Sequence, residues 1–205
     1  IDWCLAEMKH DGFQNVRGEE VIVPRWVRGN ESVELLSPRR RTLPMLGLGG
    51  SVGTPPGGIT ADVLVVTGFD DLKNRVAEAK GRIVLFNVPF TEYRETVIVR
   101  TQGAIHAARA GALASLIRSV GPFSMQTPHT GGMSYGDGVK KIPHAALSLE
   151  DANMLSRMAA RGEPIRVRLK MEARTLSDGT SRNVVAEIPG SEKPEEIVIV
   201  SGHID

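Results

Sequence analysis

Ile83-Val84-Leu85-Phe86, at residues 83–86, is a short continuous apolar run bounded by polar and Gly residues, and Val63-Leu64-Val65-Val66 repeats the pattern. A strand covered on both faces of a sheet needs no alternation with polar residues, so both runs read as buried strands. Between them, Asp70 to Ala79 is helix-compatible and stops at Gly81. Further along, Gln102 to Ala110 is alanine-rich and ends at Gly111, a residue suited to the left-handed position after a helix. The strand Ala114 to Ile117 follows. Ile142-Pro143 leads another strand through Leu147, and Ser148 can cap a helix from Leu149 to Arg161 that ends at Gly162. Ile165 to Met171 alternates apolar and basic residues, as a half-exposed strand does. Strands and helices in this order predict a mixed α/β module over residues 41–172.

Shorter segments flank the module. Residues 1–40 hold an amphipathic helix carrying Trp3, Leu5 and Met8, which stops at Gly12, then β-like runs at Gly18 to Val27 and Ser32 to Leu36. They are too few to fold alone and are assigned to a larger domain. Residues 173–205 start a new sheet: Asn183 to Ile188 reads as a strand, Pro189 to Pro194 as its turn, and Ile197 to Val200 as a return strand. The opening at Ile1 without Met and the stop at Asp205 directly after an apolar strand lead to the expectation that the chain is a truncated piece of a longer protein.

Composition narrows the function classes. The 205 residues are 41% hydrophobic and 24% charged with a formal net charge of +1, and acidic and basic residues are mixed along the chain. That leaves no electrostatic case for nucleic acid or an anionic membrane. Aromatic residues are 4% of the chain, so Trp26, Tyr93 and Tyr135 are too sparse for a base-stacking platform. The basic run Arg39-Arg40-Arg41 reads as a solvated loop, and no stretch approaches the roughly 20 apolar residues of a membrane span. The lone Cys4 reads as a small apolar residue on a buried helix face. Leu46 to Gly58 is glycine-rich, yet it lacks the Lys-Ser/Thr ending of a phosphate loop and reads as a loop at a domain boundary.

Chemistry concentrates in Ser201-Gly202-His203-Ile204-Asp205. Ligands of α/β sheets collect at the carboxyl ends of strands, and residues i and i+2 of an extended chain project to the same side. His203 can therefore bind a metal while Asp205 accepts the other imidazole N–H, the partner that orients most metal-bound histidines. Read alone, the pair is equally compatible with a structural role. His129, in the loop Thr127-Pro128-His129-Thr130-Gly131, could line a cleft, with loop packing the plainer reading; His10, His106 and His144 lack ligand spacing and read as structural. Asn30-Glu31-Ser32 fits the N-glycosylation acceptor pattern.

Asn183-Val184-Val185-Ala186-Glu187-Ile188-Pro189-Gly190 followed by residues 197–205 closely resembles the opening hairpin of the co-catalytic zinc peptidases. Residues 81–86 with Ala107-Ala108-Arg109-Ala110-Gly111-Ala112 look like the protease-associated domain that accompanies such enzymes. Gly47-Leu48-Gly49, Gly53-Thr54-Pro55-Pro56, residues 100–104, 111–119 and 128–131 are similar to one branch of that family, and this likeness covers nearly the whole chain. The resemblance implies an α/β fold: a mixed α/β protease-associated domain plus the first hairpin of the zinc-peptidase sheet. It implies a di-zinc exopeptidase for dipeptides or small peptides with free ends, dimeric and secreted or lysosomal, passing through the endoplasmic reticulum and Golgi. His203 would be a ligand of one zinc and Asp205 its orienting carboxylate. The bridging Asp, the Glu base and the remaining ligands of the family pattern would lie beyond Asp205, so these residues alone are expected to be inactive. The rival expectation is a non-catalytic protease-associated module for recognition or sorting.

Overall fold

The computed structural model describes residues 1–204. In chain order its elements begin with α1 (Asp2–His10), β1 (Gln14–Val27), β2 (Glu31–Ser37), β3 (Arg41–Leu43), β4 (Met45–Gly47) and β5 (Ile59–Val66). There follow α2 (Phe69–Asn74), α3 (Val76–Ala79), β6 (Ile83–Phe86), α4 (Tyr93–Thr96), α5 (Ile98–Arg109) and β7 (Ala114–Arg118). The last are β8 (His144–Leu147), α6 (Leu149–Ala160), β9 (Arg166–Met171) and β10 (Arg174–Glu187). By contacts the chain divides into residues 26–175 and a smaller unit of residues 1–25 with 176 onward.

The larger unit is built on an eight-stranded mixed sheet ordered β3-β2-β9-β5-β6-β7-β8-β4. Strands β5 to β8 are parallel neighbours, flanked by antiparallel β9 on one side and β4 on the other. The two apolar runs read from the sequence are the central strands β5 and β6. Side chains alternate across the pleat, so Ile83 and Leu85 enter one core and Val84 and Phe86 the other. The first core is closed by Met154, Leu155 and Met158 of α6, the second by Ala104 and Ala107 of α5 with Leu72 of α2. Each large side chain buried this way contributes about 1.5–3 kcal/mol relative to exposure.

Local signals explain most element ends. Ser148 caps α6 as expected: its Oγ accepts the Asp151 N–H at 3.1 Å and donates to Asp151 Oδ2 at 2.8 Å, while Arg41 pairs with that buried carboxylate at 3.1 Å. The helix expected over 70–79 is broken at Arg75, whose φ of −114° leaves helical space while its Nη1 donates to Val65 O at 2.9 Å. Residues 31–37, read with the N-terminal segment, pair instead with β9 in the larger sheet. The glycine-rich loop after β4 also lies within this unit. A Cβ on Gly53 would stand 2.7 Å from Met171 O, so only glycine allows that approach.

In the smaller unit β1 and β10 form a two-stranded sheet. Asn15 and Arg17 hold Glu187 at 2.7 and 3.0 Å. The hairpin expected from Asn183 onward is corrected here: its first strand is the end of β10, partnered by β1, and Ile197 to Val200 form no strand. Those four side chains are 81–93% exposed. β propensity alone makes no strand, because backbone N–H and C=O groups need a partner ladder, and the described residues provide none for this segment. Helix α1 has no buried residue, so Cys4 is partly exposed rather than packed in a core.

Candidate functional site

The carboxyl ends of the central parallel strands face a group of polar side chains. After β6, Val88 O accepts Arg118 Nη1–H at 2.8 Å from the end of β7. Next to Arg118, Ser119 Oγ donates to Leu147 O at 2.6 Å and accepts the His129 N–H at 2.8 Å. His129 is exposed, and its Nδ1 lies 2.7 Å from Val120 O. A carbonyl can only accept, so Nδ1 carries a proton, and in the neutral imidazole Nε2 is then the acceptor. Tyr93 of α4 lies beside it, with ring centroids 6.4 Å apart.

Arg100, in the first turn of α5, completes the group. Its Nη2 donates to the Tyr93 hydroxyl at 2.8 Å and its Nη1 to Thr130 O at 3.1 Å. Gly131 makes room: with φ at +155°, a Cβ there would come within 2.4 Å of the guanidinium carbon. Arg100 and Arg118 are both buried, both keep an Nε without a partner, and neither forms an ion pair with a carboxylate among the described residues. Burial pushes the Arg118 guanidinium below its ordinary pKa.

Beneath this group His144 is completely buried, its Nδ1 3.3 Å from Ser115 O and its Nε2 3.1 Å from Arg100 O. A neutral imidazole donates through one nitrogen only, and burial holds the pKa down to about 4 despite the carbonyls. The unfolded chain takes up this proton near the ordinary value of about 6.5, whereas the folded chain does so only near 4. The unfolded state thus binds more protons in between, and stability falls as pH drops from about 6.5 to 4. The loss is expected to reach on the order of 3 kcal/mol, at about 1.4 kcal/mol per pH unit. Urea unfolding at pH 7 and 4.5 checks it: His144→Leu, though less stable at pH 7, should show a flatter pH dependence. His106, stacked on Phe69 and also lowered by burial, adds in the same direction.

The remaining candidates stand apart. Asn30 is exposed at the rim of a cleft of about 520 Å³ formed with Pro55, Pro56, Lys170 and Glu172, and its Nδ2 donates to Glu172 Oε2 at 3.0 Å. His203 lies in an exposed stretch without regular structure, and Asp205 lies outside the described residues. Among the described residues, no group of three or more His, Cys, Asp or Glu side chains could hold a metal ion. No helix among them is long and apolar enough to cross a membrane.

No family model matches the chain. Carboxypeptidase Q of Mus musculus is 54% identical over 205 residues, covering 100% of this chain and 44% of the relative, and that of Homo sapiens is 55% identical, with 43% of the relative covered. This chain is a homologue of carboxypeptidase Q. It spans less than half the length of these relatives. The fold agrees: a peptidase M28 precursor from Shewanella amazonensis SB2B superposes with a TM-score of 0.89 at 34% identity, over 94% of this chain and 45% of that one. A zinc aminopeptidase from Bacillus subtilis shares the fold at a TM-score of 0.60 and 21% identity, over 93% of this chain and 40% of its own. The runs at 100–104 and 128–131, which carry the likeness to carboxypeptidase Q in the sequence, are brought together around Arg100 and Thr130. Sequence reading singled out His129 but not Tyr93 or Arg100 as partners, since the spacing between residues 93 and 129 reveals nothing of their meeting.

Proposed function

We propose that these residues are part of a zinc-dependent exopeptidase that hydrolyses dipeptides or small peptides with free termini. Identity of 54–55% to carboxypeptidase Q across the entire chain carries this reading. Residues 41–172 would supply its protease-associated module. His203 would be a ligand of one of two zinc ions, with Asp205 accepting its second N–H. The described residues do not by themselves fit a zinc site, for catalytic zinc takes about three protein ligands and no such group is present among them. The hydrolytic machinery of the proposed reaction would therefore be completed by residues of the longer protein. A homodimer, passage through the secretory route to the lysosome or exterior, and a glycan on Asn30 belong to the same proposal.

The test is a chimera in which this 205-residue chain replaces the matching segment of the mouse relative, with the unaltered relative alongside. About two zinc ions per chain and hydrolysis of dipeptides by the chimera support the reading. A folded chimera that binds no zinc and cleaves nothing overturns it and leaves a recognition module.

A further inference from the structure

We propose that Tyr93, Arg100 and His129 form a subsite for the C-terminal residue of a peptide, binding its carboxylate and its amide N–H. The choice of a peptide rests on the exopeptidase reading; the polarity of the subsite rests on its geometry. Arg100 is 8% exposed, bonded only to two neutral acceptors, with its Nε unpartnered and no carboxylate in ion-pair contact among the described residues. A buried charge is ordinarily paired, so this one leaves an uncompensated positive field. Tyr93 conveys that field outward. Its oxygen accepts from Arg100, which turns the hydroxyl proton away from the guanidinium and polarises it, and the side chain is 50% exposed. The neighbouring acid Glu95 is engaged by the Thr91 hydroxyl at 2.9 Å.

His129 supplies the second half. Its Nδ1–H is committed to Val120 O, so in the neutral imidazole Nε2 is the acceptor, on an exposed residue whose ring lies beside that of Tyr93. One donor in a positive field and one acceptor next to it complement a ligand carrying an anionic oxygen and an N–H a few bonds apart. The last residue of a peptide has both. A phosphate ion carries its O–H donor on the same phosphorus as its anionic oxygens rather than a few bonds away, and a free amine would enter the field of Arg100.

The experiment is NMR titration of the 205-residue chain with Ala-Gly, Ala-Gly-amide and inorganic phosphate. Saturable shifts centred on Tyr93, Arg100 and His129 are expected with Ala-Gly, and about tenfold weaker binding of the amide, the loss of one charge-assisted hydrogen bond. Tyr93→Phe and His129→Ala should each weaken Ala-Gly about tenfold or more while leaving the remaining spectrum unchanged. Equal affinity for acid and amide, phosphate binding as tight as Ala-Gly, shifts located elsewhere, or unaltered affinity in Tyr93→Phe overturns the subsite. In the chimera, dipeptide hydrolysis with KM unchanged by Tyr93→Phe overturns the subsite and spares the exopeptidase reading. Ala-Gly binding by the chain without hydrolysis by the chimera supports the subsite and removes that reading.

Discussion

Replacing His203 with alanine in the chimera is expected to lower dipeptide kcat/KM by more than about 100-fold and to reduce bound zinc from about two ions to about one. The magnitude follows from comparison with weaker perturbations. Removing a carboxylate that only orients a metal-bound histidine typically costs about 10–100-fold in affinity or activity, and removing the ligand itself must exceed this. Asp205→Asn therefore belongs in the same experiment: in the proposed roles it falls within that range while His203→Ala falls beyond it. Metal analysis and steady-state kinetics on both variants check the order. Equal, small losses for both would place neither residue at a zinc ion.

Gly131→Ala is expected to destabilise the protein by about 4 kcal/mol, combining strain from a backbone favoured only by glycine with overpacking of the core. The added Cβ would meet the Arg100 guanidinium at 2.4–2.8 Å, and that group cannot withdraw without giving up Tyr93 and Thr130. In a unit of this size the loss corresponds to a melting temperature lower by about 10 °C. Gly132→Ala is the control. No atom lies within 4 Å of a Cβ placed there, so the change should stay within about 0.5 kcal/mol. Thermal unfolding of the two neighbouring variants separates a specific requirement at 131 from a general loop effect.

The parts of this fold legible in the sequence were those governed by short-range rules. Unbroken apolar runs gave β5 and β6, the Ser148 cap located the start of α6, and Gly111 marked the end of α5 with its φ of +80°. Ile197 to Val200 show where such rules stop: four β-branched residues have the composition of a strand, but a strand also needs a neighbour. The break at Arg75 likewise depends on a tertiary contact, the carbonyl of Val65, that helix propensity does not contain. The candidate site was half legible. His129 stood out as a histidine in a Gly/Pro-rich loop and His203 as half of a His-x-Asp pair. Arg100 lies ahead of the helix read from Gln102 and carries no chemical signal of its own; only burial without an acid partner sets it apart.

The strand order also governs how the chain is made. Ser37 pairs with Arg166 and Gly47 with Ala145, although 129 and 98 residues separate them. At about 5–20 residues per second of translation, β2 and β4 leave the ribosome several seconds or more before β9 and β8 exist to receive them. β2 can pair at once with β3, but its other edge, and β4, must wait through that delay. Completion of the sheet is thereby timed to the emergence of its last strands, and shielding the early ones falls to the cell.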